Sequence, residues 1–283
     1  MRILAASEPS KADKLNEDWF SASPNLVVVL DGATARTDTG CIHGVSWYAA
    51  QLGAAVSAQA SDASIALPTA LETAIKAVAE KHPDCDLTSP GTPSAAVAIL
   101  RRTPSHLEYL VLGDVGIILA SESHLSVIID DRVDKTAKAE RREADAHPIG
   151  SAEKADALIR MKHAELAARN TEGGFWVSAA DPAVVCHAII DAVPVETVTR
   201  SILLTDGAAR LVRMFNYVSW EEMLDLLESQ GPSEALRRVR QLEESDPIGT
   251  RWPRNKKNDD ATLVYATDHM HTLTSDEAAA SPS

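Results

Sequence analysis

The sequence predicts an α+β fold in which helices are layered on antiparallel β-sheet. Short apolar runs rich in β-branched residues recur along the chain, and several follow one another with only short turns between them. Consecutive strands with short connections pair antiparallel, and the helical segments come in pairs between the strand blocks, so helix-on-sheet layers are expected. Neither an internal repeat nor a linker-like segment interrupts the sequence, which favours a single domain.

Apolar runs of strand length, bounded by turn residues, predict the β-strands. The predicted strands are 25–30, 94–100, 106–112, 115–120, 125–129, 175–179, 201–205 and 261–266. Between two of these runs, Gly113-Asp114 predicts the tight turn of a β-hairpin.

Segments with apolar residues at helical spacing, or dense in good helix formers, predict the α-helices. They are 45–60, 67–81, 136–146, 151–169, 182–190, 219–229 and 233–244. Ser219, which precedes Trp220-Glu221-Glu222, and Ser233, which follows Pro232, are typical of helix starts.

The composition permits a large core and argues against two classes of partner. Of the 283 residues 45% are hydrophobic but only 4% are aromatic, so Ala, Val, Leu and Ile must fill the core. A net charge of −14 argues against a nucleic-acid binder, which needs a basic face, and against docking on an anionic membrane. A phosphorylated substrate is compatible with this charge, because bound metal ions would reverse the local field.

Cysteine usage and the first residues indicate a cytoplasmic protein. Cys41, Cys85 and Cys186 are odd in number and widely spaced, so we expect neither a disulfide framework nor a zinc cluster. The apolar stretch after Met1 is too short for a signal peptide, and no apolar run has the length of a membrane span. The sequence leaves the oligomeric state open.

Acidic residues stand beside apolar, strand-like runs in several distant parts of the chain. A carboxylate in such a position is expected at a strand end, and the fold can bring the ends of several strands together. Converged carboxylates repel one another, and a divalent cation is the usual remedy. The acidic patches are Asn16-Glu17-Asp18, Asp31-Gly32, Gly113-Asp114, Asp206-Gly207 and Asn258-Asp259-Asp260.

The donor type indicates Mg²⁺ or Mn²⁺, because carboxylate and carbonyl oxygens are hard ligands. Two such ions roughly 3.5–4 Å apart can share one carboxylate and one water, and the resulting hydroxide can attack phosphorus. Asp31 is the natural bridging residue, and Gly32 lets a backbone carbonyl approach a metal closely. An Asp-Gly pair after a strand is more often a simple turn, so the joint pattern carries this prediction.

The order of these motifs resembles the metal-dependent protein phosphatases of the PPM (type 2C) family, bacterial type. The resemblance covers nearly the whole chain and implies a four-layer α-β-β-α sandwich of two antiparallel β-sheets flanked by helices. It also implies a phosphatase domain over residues 1–270. The small, polar and Pro-containing composition of residues 271–283 predicts a disordered tail. The matching motifs are Glu17-Asp18, Asp31-Gly32, Gly91-Thr92, Gly113-Asp114, Asp206-Gly207 and Asp259-Asp260.

The resemblance implies a site with two Mn²⁺ or Mg²⁺ ions, in which Asp31 and Asp206 are the catalytic carboxylates. Asp31 would bridge both ions. Asp206 and Asp259 would hold one of them, and Glu17 with the carbonyl of Gly32 would face the other, largely through water. The activity implied is hydrolysis of phosphoserine and phosphothreonine in proteins by a metal-bridging hydroxide.

Three further aspartates complete the site that the resemblance implies. Asp114, together with Asp206, matches the positions that hold a third, weaker metal in bacterial members. Asp18 would support the ligands from behind. Asp260 replaces the usual Asn and adds a negative charge beside a ligand.

The loop after the bridging aspartate departs from the family pattern. Ala33 stands where eukaryotic members have a His that serves as general acid, and His43, later in the same insert, is the candidate replacement. The usual phosphate-binding Arg before Glu-Asp is also missing. Lys14, Lys11 or Arg36 could take its place, the lysines as point charges rather than as a bidentate fork.

Alternatives remain open for the function and for one segment. A phosphatase of a small phosphorylated molecule, or a catalytically weak family member that binds a partner, would share these motifs. Retention of mutually repelling carboxylates favours an active enzyme. The charged segment 130–149 is equally compatible with a solvated helix and with the flap that shapes substrate access in the family.

Overall fold

Two five-stranded antiparallel β-sheets stack against each other in the computed structural model, which describes residues 1–267. The first sheet has the order β1-β10-β9-β6-β7. Its strands are β1 (Arg2–Glu8), β6 (Gly116–Ala120), β7 (Leu125–Ile129), β9 (Arg200–Leu204) and β10 (Ala261–Thr267). The predicted tail, 271–283, lies outside the described residues.

The second sheet has the order β2-β3-β4-β5-β8. Its strands are β2 (Trp19–Ser23), β3 (Leu26–Gly32), β4 (Ala95–Arg102), β5 (His106–Leu112) and β8 (Ile189–Pro194). All strand pairs in both sheets are antiparallel.

Helices cover the outer faces of both sheets. The pair α1 (Val45–Ala60) and α2 (Leu67–Ala79) packs on the second sheet. Helices α5 (Asp206–Arg213), α6 (Trp220–Gln230) and α7 (Pro232–Ser245) pack on the first sheet. The predicted four-layer α-β-β-α sandwich is therefore confirmed. A further pair, α3 (Lys138–Asp145) and α4 (Ala152–Ala168), has a small apolar cluster of its own.

Strand β3 illustrates why the central strands are apolar on both faces. Val27, Val28, Val29 and Leu30 are all fully buried. Val27 and Val29 face the other sheet and contribute to the inter-sheet core, whereas Val28 and Leu30 pack against α1 and α2. Because both faces of the strand are covered, the period-2 alternation of a half-exposed strand is replaced by a continuous β-branched run.

Some of the predicted elements were wrong or missing. Segment 175–179 is not a strand but makes two isolated bridges, Phe175 with Arg169 and Ser178 with Ala95. Segment 182–190 is a short 3₁₀ turn, Pro182–His187, followed by the start of β8. Gly113-Asp114 is not a hairpin turn, because β5 and β6 belong to different sheets. It is the connection by which the chain crosses from one sheet to the other.

No helix within residues 1–267 combines the length and the apolar character needed to cross a bilayer.

Candidate metal centre

Four aspartates reach one cavity from strand ends in both sheets. Asp31 is the second-to-last residue of β3, Asp206 begins α5 directly after β9, and Asp259 lies just before β10. Asp114 stands in the crossover from β5 to β6. All four line a cavity of about 510 Å³. The two sheets meet directly here, since the backbone N–H of Asp206 donates to Oδ2 of Asp31 over 3.3 Å.

Burial and mutual repulsion make three of these carboxylates hard to ionise. Burial, followed by the charges of Asp206 and other nearby aspartates, raises the pKa of Asp31 well above its ordinary value. Burial and the charge of Asp206 raise the pKa of Asp114 to about 7. Burial and the charge of Asp259 raise the pKa of Asp206. A cation placed among them would remove this penalty.

Asp259 differs from the other three because two cations of the chain already hold it. The Nη2 of Arg210 donates to its Oδ2 over 2.6 Å, and the Nζ of Lys256 is paired with its Oδ1. Although burial raises the pKa of Asp259, the charges of Arg210 and Lys256 bring it below the ordinary value. Arg210 is itself buried and also pairs with the buried Glu243 at 2.6 Å.

Two glycines allow the backbone to close tightly around the carboxylates. A Cβ on Gly32 would lie 2.5 Å from the carbonyl oxygen of Glu17. A Cβ on Gly207 would lie 2.0 Å from the carbonyl oxygen of Asp260. Each Asp-Gly pair therefore needs its glycine so that another acidic segment can pack against it. This constraint accounts for the Asp-Gly motif independently of any metal.

Asp18 and Asp260 hold neighbouring segments of the site in place through hydrogen bonds. Asp18 is buried and accepts a 2.9 Å hydrogen bond from the hydroxyl of Thr205, the residue before Asp206. Asp260 accepts the backbone N–H groups of Ser10 and Glu17, at 2.5 Å and 3.1 Å. It thereby anchors the loop that carries Glu17.

Glu17 lies behind the cavity wall rather than in it. Its Oε2 accepts hydrogen bonds from Lys14 Nζ at 3.0 Å and from the hydroxyl of Thr34 at 2.6 Å. Thr34 is itself a cavity residue and accepts a 2.9 Å hydrogen bond from Lys256. Lys14 is thus engaged with Glu17, and neither residue belongs to the described residues that line the cavity.

A group of cations lines the cavity, and the sequence predicted only one of its members. Arg36 is there, as proposed. Lys162 and Arg169 of the α4 region join it, and burial followed by the charges of Arg169 and Arg36 lowers the pKa of Lys162. Their seven-residue spacing, two helical turns, was the available sign that both share one helix face.

His43 is not at the carboxylates. Its Nδ1 lies 3.7 Å from the sulfur of Cys41 and 3.6 Å from the sulfur of Cys85, and its ring stacks on Trp47. Among the described residues, those that line the cavity do not include His43. The prediction that it replaces the general acid therefore has no geometric support.

The aspartates of the cavity fit a hard divalent cation. None of Asp31, Asp114 and Asp206 forms an ion pair with another described residue, and the charge of Asp206 raises the pKa of both Asp31 and Asp114. Oxygen donors of this kind suit Mn²⁺ or Mg²⁺. Asp259 can join them only by giving up part of its contact with Lys256 or Arg210.

The chain is similar to known phosphatases in sequence pattern and in fold. A family model described as "Protein phosphatase 2C" matches residues 9–242. No curated protein matches the chain in sequence. The fold is similar to that of the catalytic domain of the serine/threonine phosphatase PstP in complex with two manganese ions, at 17% identity and a TM-score of 0.55, over 94% of this chain and 97% of that one.

Two further solved structures give the same result. Stp1 from Staphylococcus aureus is 12% identical, with a TM-score of 0.57 and coverage of 94% of each chain. MsPP from Mycobacterium smegmatis, in complex with cacodylate, is 16% identical, with a TM-score of 0.54 over 94% of this chain and 97% of that one. At these identities the likeness establishes the fold.

Proposed function

This chain belongs to the protein phosphatase 2C family, and we propose that it is a metal-dependent phosphatase that removes phosphate from phosphoserine and phosphothreonine in proteins. The observation that carries the proposal is one cavity with two kinds of wall. Half-buried and buried aspartates from both sheets form one side, and Arg36, Lys162 and Arg169 line the same space. The aspartates can bind metal ions, and the neighbouring cations can bind phosphate oxygens, so the cavity suits a phosphate ester bound to metal.

Asp31, Asp206 and Asp114 are the proposed ligands of Mn²⁺ or Mg²⁺, with Asp259 and the carbonyl of Gly32 next to them. Glu17, behind the cavity wall, would support the site through its hydrogen bond with Thr34, which lines the cavity. Bound divalent cations lower the pKa of water and neutralise phosphoryl oxygens. In this proposal Asp31 and Asp206 are catalytic, because they would hold the ions that activate water and bind the phosphoryl group at the junction of the two sheets. PstP, whose structure contains two manganese ions, has the same fold.

The cations have different freedom to bind phosphate. Arg169 is fixed by the backbone carbonyls of Thr92 and Pro90, at 2.7 Å and 2.6 Å, so it shapes the wall. Within residues 1–267, Arg36 makes a single long hydrogen bond, 3.4 Å to the carbonyl of Asn255. Lys162 lies 3.9 Å from a carboxylate oxygen of Glu165. Arg36 and Lys162 are therefore the proposed phosphate-binding residues.

Phosphate release from a phosphothreonine peptide tests this function. We expect release with Mn²⁺ and none with chelator, and a loss of roughly 100-fold or more in Asp31→Asn. Asp13→Asn, an exposed aspartate in the N-terminal loop, is the matched control and should keep full activity. Equal activity in the native chain with and without chelator would refute the metal-dependent mechanism.

A small phosphorylated molecule is the second candidate substrate. Helices α3 and α4 form part of the cavity wall and contribute Arg141 and Lys162 to it, which narrows the space available to a polypeptide. Comparing kcat/KM for the phosphothreonine peptide and for free phosphothreonine separates the two. A preference for the free amino acid would favour the small-molecule function. Mn²⁺ binding without turnover of either would indicate a binding module.

A further inference from the structure

Four side chains that bind soft metals gather in two loops beside the cavity. Cys41 and His43 lie in the loop between β3 and α1, and His82 and Cys85 lie in the loop after α2. The ligand atoms of Cys41, His43 and His82 all lie within 4.8 Å of one another. The sulfur of Cys85 is 3.6 Å from the sulfur of Cys41 and 3.6 Å from Nδ1 of His43.

These separations are those of a tetrahedral zinc site. With Zn–S near 2.3 Å and Zn–N near 2.0 Å, the edges of the tetrahedron are about 3.8 Å between sulfurs and about 3.6 Å between sulfur and nitrogen. The Cys41–Cys85 edge is 3.6 Å, and the edges from His43 to the sulfurs of Cys41 and Cys85 are 3.7 and 3.6 Å. Three ligands are thus at tetrahedral spacing, and the ligand atom of His82 lies within 4.8 Å of those of Cys41 and His43.

His82 has the hydrogen-bond arrangement of a metal ligand. It is only 5% exposed, and its Nδ1 lies 2.8 Å from the carbonyl oxygen of Val78. A carbonyl accepts only, so Nδ1 carries the proton and Nε2 carries the lone pair. Nε2 is buried and has no hydrogen-bond partner among the described residues. Metal-binding histidines use one nitrogen for a carbonyl in this way and the other for the metal.

Trp47, from the first turn of α1, packs on both histidines. Its ring stacks on His43 with 4.0 Å between centroids and meets the edge of His82 at 4.8 Å. The histidines also meet each other edge to face at 5.0 Å. This packing holds the two imidazole rings in place and shields one side of the group from water.

We propose that Cys41, His43, His82 and Cys85 bind a structural Zn²⁺ ion, separate from the aspartate centre. Two thiolates and two imidazoles are soft and intermediate donors, which select zinc over the Mg²⁺ or Mn²⁺ that suits aspartates. All four positions of the tetrahedron are filled by protein, so the ion has no open position for a substrate. Its role is to join the two loops. The expectation from spacing alone that the cysteines form no zinc cluster missed this convergence, because the two ligand pairs are separated by α1 and α2.

The zinc ion would hold one wall of the catalytic cavity. The same two loops already touch, because the N–H of Asp86 donates to the carbonyl of Gly40 over 2.9 Å. Gly91 packs so closely on Asp38 that a Cβ would lie 2.0 Å from its carbonyl oxygen. Residues Thr37 and Gly91, one from each loop, line the cavity. The proposed ion is therefore a clamp for the loop that carries Arg36.

Metal content of the full chain is the first test. Protein expressed in zinc-supplemented medium and dialysed against metal-free buffer should contain about one zinc ion per chain by elemental analysis. Cys41→Ser with Cys85→Ser should lose it. Cys186→Ser, which removes the exposed third cysteine, and Asp31→Asn, which alters only the aspartate centre, should both retain it. Zinc that disappears in Asp31→Asn and persists in the double variant would overturn the assignment.

A spectroscopic test on the native chain does not depend on the folding of the cysteine variants. Co²⁺ exchanged for zinc should give the charge-transfer band of thiolate ligation and the intense visible bands of tetrahedral geometry. The same bands should appear in Cys186→Ser. Native protein that binds Co²⁺ without a thiolate band would overturn the proposal. So would an intact mass lower by two hydrogens with no zinc, because Cys41 and Cys85 would then form a disulfide.

Discussion

At the scale of single residues, Lys256 and Arg210 bind the same carboxylate oxygens of Asp259 that a metal ion would need. Both oxygens of Asp259 are in ion pairs, whereas Asp31, Asp114 and Asp206 have none with described residues. A bound cation at Asp259 must therefore compete with a buried guanidinium and an ammonium. The strength of metal binding at this site is set partly by the chain's own positive charges.

Replacing Lys256 with methionine should strengthen Mn²⁺ binding. The change frees Oδ1 of Asp259 and removes a positive charge from the site, and we expect an affinity about tenfold higher, equivalent to about 1.4 kcal/mol. Isothermal titration with Mn²⁺ measures it. Lys257→Met is the matched control, since Lys257 pairs with the exposed Glu244 and should bind as the native chain does. An unchanged or weaker affinity in Lys256→Met would contradict the competition.

Lys162 should give phosphate binding a pH dependence. Burial and the charges of Arg169 and Arg36 lower its pKa, so Lys162 loses its charge at a lower pH than a free lysine does. The KM for phosphopeptide should therefore rise as the pH rises through this lowered pKa. Lys162→Arg keeps its charge and should show a flatter KM on the alkaline side. Lys138→Arg, on exposed surface, is the control; identical KM profiles for the native chain and Lys162→Arg would exclude this role.

At the scale of elements, α3 and α4 form a small unit that lines the cavity. Ala144, Ala157, Leu158 and Met161 form its apolar cluster. Lys154 of α4 is 2% exposed, and its Nζ donates to the carbonyl of Ala144 over 2.7 Å. The last carbonyls of a helix have no partner within it, so this buried contact terminates α3.

Lys154→Met should loosen α3 without unfolding the sandwich. Methionine keeps most of the stem but removes the lysine's hydrogen bond to the buried Ala144 carbonyl, which still accepts the N–H of His147 over 3.2 Å, so we expect a cost of about 1 kcal/mol. Hydrogen exchange should become faster in α3 and stay unchanged in the inter-sheet strands. Lys138→Met removes an exposed lysine of α3 itself and should leave exchange unaltered. Equal protection of α3 in both variants would show that Lys154 does not hold this pair together.

The strands that the sequence failed to predict share one property, which is their position at a sheet edge. Strands β1, β2 and β8 all lie at the edges of their sheets. An edge strand pairs on one side only and is less covered, so its sequence needs fewer apolar residues. The central strands β3, β4 and β10 are buried on both faces and were predicted. Helix α5 was missed because its first residues, Asp206-Gly207, also match a turn.

Local sequence pattern also separates the site residues that could be predicted from those that could not. Asp31, Asp114, Asp206 and Asp259 could be predicted because each stands beside a strong strand run. Arg210 was not, because its role depends on Asp259 and Glu243, which are distant in sequence. The group that contains Cys41 and Cys85 was not predicted for a similar reason: helices α1 and α2 separate the two cysteines in sequence, and only the packing of these helices brings their loops together.

At the scale of the whole molecule, the ends of the two sheets repel each other in the metal-free state. Asp31 comes from one sheet and Asp206 and Asp259 from the other, and burial together with the charges of Asp206 and other nearby aspartates raises the pKa of Asp31. A carboxylate whose pKa is raised by folding costs no stability below its unfolded pKa; the cost grows as the pH rises from the unfolded to the folded pKa and is constant above it. At neutral pH the metal-free fold therefore carries a penalty at this junction.

Asp31→Asn should consequently raise the melting temperature of the metal-free protein. A gain of about 1 kcal/mol corresponds to roughly 2–4 °C for a chain of this size. Added Mn²⁺ should stabilise the native chain more than the variant, because binding to the folded state alone raises its stability. Differential scanning calorimetry with chelator and with Mn²⁺ measures both effects. A lower melting temperature for the metal-free variant would show that the Asp31 carboxylate is itself stabilising.

The pairing of β1 with β10 has a consequence for how the molecule acquires activity. The register runs from Arg2 opposite Thr267 to Glu8 opposite Ala261, so this pairing closes a loop of nearly the whole described chain. Contacts so distant in sequence are slow to form. Asp259 and Asp260 stand immediately before β10 and enter the site only when that strand docks. A chain still emerging from the ribosome would thus carry Asp31 and Asp114 without Asp259, and the group of four aspartates would be complete only after β10 has been made and has docked against β1.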